Sequence, residues 1–95
     1  MSNPIPRKLR DAVNERDGGL CQYCGGAGSH LHHIVFGGTG RKRIHRIENL
    51  VTLCIACHGQ AHTTRKMRLF CYQWSRERYG DIVDKLLRQK WSGDK

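Results

Sequence analysis

The spacing of apolar residues predicts a helix followed by two short strands in the first half of the chain. Apolar residues at positions i, i+3 and i+4 indicate a helix over about residues 6–16, and the glycines at 18–19 end it. These spaced residues are Leu9, Ala12 and Val13. Strand-forming residues then dominate two runs, HLHHIVF at residues 30–36 and LVTL at residues 50–53.

Helical spacing returns in the second half of the chain. A helix is predicted to follow Cys54 and to extend at least to His62. A longer helix is predicted over about residues 65–79, and a last one over about residues 81–90, with Asp81 as its N-cap. The spaced apolar residues are Met67, Phe70, Cys71 and Trp74 in the longer helix and Ile82, Val83, Leu86 and Leu87 in the last. This order of elements predicts an α+β fold.

Length and composition limit the number of domains and indicate that the fold needs more than its hydrophobic core for stability. With 95 residues, the chain is long enough for one domain, spanning residues 1–95. Only 38% of its residues are hydrophobic, and so thin a core usually needs disulfides or a structural metal. No run is apolar enough for a membrane helix or a signal peptide, so we expect a cytoplasmic protein with reduced thiols and no membrane partner.

The charge favours a polyanionic partner. Seventeen Lys and Arg against eight Asp and Glu give a net charge of +9. On a small domain this surplus predicts nucleic-acid binding, driven largely by counterion release. A merely soluble basic protein is the alternative, and charge does not separate a nuclease from a passive binder.

The cysteines predict a structural zinc site. Cys21 and Cys24 form one CxxC pair and Cys54 and Cys57 a second, the spacing found in tetrahedral zinc sites. The 29 residues between the pairs leave room for a hairpin. Two reactive dithiols are the alternative. Cys71 lies on the apolar stripe of a helix and is expected to be a buried free thiol.

The histidines predict a second metal. His58 and His62 share one helix face and point about 100° and 140° away from Cys57, at about 100° per residue. One tetrahedral ion cannot easily collect both sets of ligands, so two ions are expected. His32 and His33 offer further ligands, although adjacent strand residues point to opposite faces and local twist would be needed to bring both to one site.

Three protein ligands would leave positions open for water and substrate, as in catalytic metal sites. A neutral imidazole beside such a site can act as a general base. The remaining pair, His30 and His45, are expected to be ordinary surface or core residues, although His45 in its basic surroundings could touch phosphate.

Taken together, these residues resemble the HNH endonuclease family, in particular its compact phage and bacterial type with a four-cysteine zinc site. The resemblance covers about residues 17–63. The matching segments are Cys21-x2-Cys24, Leu31-His32-His33-Ile34-Val35, Glu48-Asn49-Leu50-Val51-Thr52-Leu53, Cys54-x2-Cys57-His58 and His62.

This resemblance implies a small zinc-stabilised ββα-metal domain, similar to a treble clef, over a core of about residues 17–63. A helix at about 6–16 and helices at about 65–90 would flank it. By position, His32 corresponds to the first metal ligand of the family and His33 to its general base. Asn49 corresponds to the asparagine that ties down the loop orienting the base. His58 and His62 correspond to the remaining metal ligands.

The activity implied is metal-dependent hydrolysis of DNA, leaving 5′-phosphate and 3′-hydroxyl ends. The cofactors would be a structural Zn²⁺ and a divalent catalytic ion, which could be Mg²⁺, Mn²⁺, Ni²⁺ or Zn²⁺. Basic residues near the motif are candidates for DNA backbone contacts, with a solvated charged loop as the alternative. They are Arg41, Lys42, Arg43 and Arg46, followed by Arg65, Lys66 and Arg68.

Two other functions compete with this interpretation. In the first, the chain is a non-catalytic treble-clef module that binds DNA or RNA and holds a single zinc. In the second, the last helix serves a phage packaging or recombination protein as a docking surface, although packing of that helix within its own chain is favoured. A monomer is expected, with a dimer left open.

Overall fold

The computed structural model describes residues 5–35 and 44–92, with side chains up to residue 87. Within these ranges, helices flank a two-stranded antiparallel sheet, which confirms the α+β prediction. The elements are α1 (Arg7–Asp17), β1 (His30–His33), a 3₁₀ helix (Ile47–Asn49), β2 (Leu50–Leu53), α2 (Ile55–Thr63), α3 (Arg65–Tyr79) and α4 (Ile82–Ser92). Among the described residues, we find no helix with the length and apolar character needed to span a bilayer.

Local sequence signals account for most helix ends. Gly18 ends α1 with a φ of 65°, a left-handed conformation that glycine adopts without steric cost, and its N–H bonds Asn14 O. Thr64 separates α2 from α3 and caps α3 through its hydroxyl, which accepts from Met67 N at 3.3 Å.

The hairpin pairs His32 with Val51 and His33 with Leu50. The first strand was predicted to continue to Phe36, but β1 ends at His33. The N–H of Ile34 bonds the main-chain carbonyl of Asn49, whereas the N–H of Val35 bonds the Asn49 side chain. This side-chain contact replaces the regular ladder and ends the strand. Phe36 lies outside the described residues.

A buried ion pair at the end of α1 fixes this helix to the hairpin. Asp17 accepts from the N–H of Thr52 at 3.1 Å and is bonded by Arg16 at 2.7 Å. Arg16 also donates to the carbonyl of Leu50 at 2.6 Å. Since each group has several partners, the buried charges are compensated, and β2 is held firmly on the side that faces α1.

The core lies where the hairpin, α2, α3 and α4 meet. Every residue of β2 is buried, and α3 contributes Met67, Cys71 and Trp74. From α4, Val83 and Leu86 are buried in the same cluster, with Ile82 and Leu87 packed against it. The apolar face of the last helix therefore packs within its own chain, as favoured from sequence.

Candidate metal centres

The first pair of cysteines lies in a tight turn between α1 and β1. The N–H of Cys21 bonds Gly26 O at 2.7 Å, and the N–H of Gly25 bonds Cys21 O at 2.9 Å. Gly25 has a φ of 82°, which a residue with a β-carbon rarely adopts. Two short hydrogen bonds and one glycine thus fold the chain so that Cys21 and Cys24 can face the same point.

The second pair begins α2. Cys54 is the N-cap residue, and its sulfur accepts from the N–H of Cys57 at 3.4 Å. Exposed N–H groups and the helix dipole favour negative charge at this end, whereas burial and the neighbouring thiols raise the pKa of Cys57. Burial alone would raise the pKa of Cys21, but hydrogen bonds from backbone N–H groups, first among them that of Cys24, lower it to about 6.

These four thiols form a cluster suited to zinc. Their sulfurs all lie within 4.8 Å of one another, and Cys24 Sγ is 3.8 Å from Cys54 Sγ. Thiolates about 2.3 Å from a tetrahedral zinc ion stand about 3.8 Å apart, so this spacing fits an ion and not a disulfide. The four cysteines could therefore hold a metal such as zinc.

The histidine cluster joins β1 to α2. His32, His58 and His62 each bring one ring nitrogen to within 4.8 Å of the others. His58 Nε2 and His62 Nε2 are 3.1 Å apart, close to the spacing of about 3.3 Å expected for two imidazoles on one tetrahedral ion. The strand that carries His32 and the helix that carries the other two thus build one set of three nitrogen donors.

Burial keeps the inner part of this cluster neutral. His32 is only 1% exposed, and burial together with the charges of His58 and His62 lowers its pKa to about 3. Burial, followed by His62 and His30, also lowers the pKa of His58. Neutral imidazoles carry the lone pairs that a metal needs. His62 is exposed, so the cluster opens towards solvent on that side.

The two clusters use different faces of the same short helix. Cys57 belongs to the thiol cluster, whereas its neighbour His58 belongs to the imidazole cluster. Among the described residues, the candidate donors thus fall into two separate groups on different faces of this helix. The prediction that Cys71 stays outside them is confirmed, because it is fully buried in the core.

Asn49 is fully buried and lies next to the strand that carries the histidines. Its amide Nδ2 donates to Val35 O at 3.2 Å and to Ile44 O at 3.0 Å, and its Oδ1 accepts from Val35 N at 2.8 Å. One side chain therefore joins the two chain segments on either side of residues 36–43.

The structure adds contacts that the sequence did not predict for two histidines. His30 and His45 were expected to be ordinary surface or core residues, with contact to phosphate left open for His45. In the structure, His30 Nδ1 lies 2.7 Å from His58 Nδ1, and His45 Nδ1 lies 3.1 Å from His33 Nε2. The strand period of two could have indicated the first contact, since it places His30 on the face that carries His32. No local sequence signal indicated the second.

The predicted DNA-contacting residues are only partly described. Arg41, Lys42 and Arg43 lie outside the described residues. Arg46 is exposed and pairs with Glu48 at 3.1 Å, a surface ion pair of small energy. The next candidates lie in the first turn of α3, where Arg65 and Lys66 are exposed and Arg68 is half-buried.

Comparison with known proteins agrees with this geometry. Residues 21–64 match the family model described as HNH endonuclease, and this range contains both metal-ligand clusters. A comparison with curated proteins gave no significant match. The members of this family are metal-dependent nucleases that act on DNA. The comparison thus identifies an HNH endonuclease segment over residues 21–64, within which four cysteines are positioned to hold a metal.

Proposed function

We propose that this chain is a DNA endonuclease that hydrolyses phosphodiester bonds with a divalent ion at the histidine cluster, while the cysteine cluster holds a structural zinc. The observation that carries the proposal is the convergence of His32 with His58 and His62, directly beside His33 in β1. Three neutral nitrogen donors, one of them exposed, are typical of a catalytic ion and not of a scaffold.

In this mechanism His33 is the general base. It takes a proton from a water molecule that attacks phosphorus in line, and the 3′ oxygen leaves, giving 5′-phosphate and 3′-hydroxyl ends. A divalent ion held by His32, His58 and His62 would stabilise the negative charge that builds on the phosphate. Because these ligands are neutral, they leave the charge of the ion available to the substrate.

Asn49 acts as a positioning residue. Its three side-chain hydrogen bonds hold Val35, two residues after His33, and Ile44, on the far side of residues 36–43. Fixing these two points limits how far the chain around His33 can move. A base that must meet a bound substrate benefits from such restraint, since a displacement of about 1 Å can cost about 10²-fold in rate.

Binding of DNA would rest on the basic surplus. A net charge of +9 supports non-specific attraction to the phosphate backbone. Arg46, with Arg41, Lys42 and Arg43, would contact the backbone near the histidine cluster, and Arg65, Lys66 and Arg68 would extend this contact. Such contacts fix the register of the DNA without reading its sequence. Reduced thiols in the zinc site suit action in the cytoplasm.

Plasmid cleavage tests the proposal. We expect the full chain to cleave supercoiled plasmid with at least one of Mg²⁺, Mn²⁺, Ni²⁺ or Zn²⁺, and to stop in EDTA. His33→Ala should lower the cleavage rate by about 10²–10⁴-fold, the usual contribution of a general base. Its circular dichroism, its metal content and its affinity for DNA should match those of the wild type, because the imidazole is used only in the reaction.

Cleavage at the wild-type rate by His33→Ala, in a preparation purified in parallel, would remove His33 from the mechanism. Metal analysis separates the nuclease from the non-catalytic zinc module. One tightly held zinc together with a second, exchangeable ion supports the nuclease. A single zinc, with no cleavage in any of the four metals, would support the binding module instead.

A further inference from the structure

Two histidines outside the family motif each contact a histidine inside it through a ring nitrogen. His30 meets His58, with ring planes nearly perpendicular at 83° and centroids 4.9 Å apart. His45 meets His33, with centroids 5.2 Å apart. All four rings are half-buried, so these contacts are partly shielded from competing water.

The contact at His58 constrains where its proton lies. His58 Nε2 faces His62 Nε2, on the side of the ligand cluster, and must present a lone pair to bind an ion. The proton of the neutral ring then belongs on Nδ1, which is 2.7 Å from His30 Nδ1. His30 can accept this hydrogen bond through Nδ1 while its own proton sits on Nε2.

The contact at His33 follows the same chemistry. In the tautomer in which His33 Nε2–H donates to His45 Nδ1, the lone pair of His33 lies on Nδ1, the form in which a neutral imidazole can accept a proton. The backbone supports this pair, because Asn49 holds Ile44, the neighbour of His45. The buried amide of Asn49 therefore holds the backbone close to both His33 and His45.

We propose that His30 and His45 are positioning residues that set the tautomers of the metal ligand His58 and the base His33, respectively. The assignment rests on the proposed function for the roles of those two inner residues. Metal-bound histidines commonly donate their second N–H to a fixed acceptor, and loss of such an acceptor costs about 10–100-fold in metal affinity or activity. In this chain the acceptors are imidazoles.

Two substitutions at each position test the proposal. Leucine removes the acceptor while keeping a side chain branched at Cγ. Asparagine keeps an acceptor, since its Oδ1 stands close to the position of the histidine Nδ1. His30→Leu should lower the affinity of the histidine cluster for Co²⁺ or Zn²⁺ by about 10–100-fold in calorimetry, with the zinc of the cysteine cluster retained. His30→Asn should recover most of that affinity.

Activity should respond differently at the two positions, so that each variant is the control for the other. Cleavage by His30→Leu should be restored as the metal concentration is raised. Cleavage by His45→Leu should fall by about 10–100-fold and should not respond to added metal, whereas His45→Asn should recover it. A merely structural role would not produce this split, nor would it favour asparagine over leucine.

Nitrogen NMR of the rings gives a readout that does not need activity. In the metal-loaded wild type, we expect the proton of His58 on Nδ1 and that of His33 on Nε2, and His45→Leu should abolish the preference of His33. Unchanged metal affinity in His30→Leu, or an unchanged tautomer of His33 in His45→Leu, would overturn the corresponding assignment. If the wild type fails to cleave DNA at all, the proposed function falls, while metal affinity and tautomers still decide these two assignments.

Discussion

The cysteine cluster and the histidine cluster are built on the same nine-residue helix, yet they differ in charge, in burial and in what surrounds them. The cysteine cluster joins a glycine-rich turn to the N-terminus of α2. Its four donors would bind a metal as anions, and two of them, Cys21 and Cys57, are buried in the core. The histidine cluster joins a strand to the outer face of the same helix with three neutral donors, the last of which is exposed.

This difference separates stability from chemistry. Four thiolates can saturate a tetrahedral ion and leave it no free position, so the cysteine cluster suits a structural ion. Three imidazoles leave at least one position open, and neutral ligands do not offset the charge of the ion. Because α2 presents donors of both sets on different faces, the same short helix positions part of each cluster.

The largest effect is expected for Cys57→Ser. Metal binding in structural zinc sites contributes about 10–16 kcal/mol in peptides at pH 7, as much as the whole stability of a typical domain, about 5–15 kcal/mol. Since the hydrophobic core is thin, the variant should lose its folded structure by circular dichroism and NMR. A folded Cys57→Ser protein without zinc would show that the cysteine cluster does not act as the scaffold.

A different result is expected for His62→Ala. His62 is exposed, so its truncation should change the free energy of unfolding by about 0.5 kcal/mol or less, yet it removes one of three ligands. The variant should keep the zinc of the cysteine cluster and lose the second ion. The rate of DNA cleavage should fall because that ion is lost. Metal analysis and chemical denaturation measure the two effects separately.

Gln60→Ala is the matched control for that variant, since Gln60 is also exposed on α2 and belongs to neither cluster. It should retain both ions. Retention of the second ion at wild-type affinity in His62→Ala would mean that the open histidine cluster is not a metal site.

The smallest effect on metal binding and cleavage is expected at Cys71, a cysteine that belongs to neither cluster. Burial, and then the charge of Cys21, raises the pKa of Cys71 to about 12, so almost no thiolate forms at pH 8. Mass spectrometry should show that iodoacetamide leaves Cys71 unmodified in the native protein. After denaturation in the presence of a chelator, the same reagent should modify it. Cys71→Ala should keep both ions and cost about 1 kcal/mol of stability. Rapid labelling of native Cys71 would contradict its burial.

The sequence was most informative where a short spacing fixes the geometry. The CxxC pairs and the i, i+4 pair of histidines predicted which residues cluster, because a tight turn or one helical turn brings such residues together regardless of the rest of the fold. The bounds of α3 and β2 were also predicted correctly from the spacing of apolar residues. These signals are local, and such local geometry can be predicted from the sequence.

The sequence was less informative where a side chain replaces regular structure. The first strand was predicted to reach Phe36, but the amide of Asn49 takes over the N–H of Val35 and β1 ends at His33. The same limit applies to His45. It lies twelve residues from His33 along the chain, and neither a helical nor a strand period predicts their contact. Such pairings depend on how separate segments approach each other.

By itself, the sequence indicated the two sets of donor residues and the resemblance to HNH endonucleases, since ligand spacing within one turn or one helix leaves little freedom. The spacing alone left His32 and His33 as alternatives, which only the family resemblance separated, and only the tertiary structure showed that His30 and His45 contact these histidines. The reason is physical: the pairing of β1 with β2 and the docking of α2 set the distances between His30, His32 and His58, and these distances arise from packing the whole core.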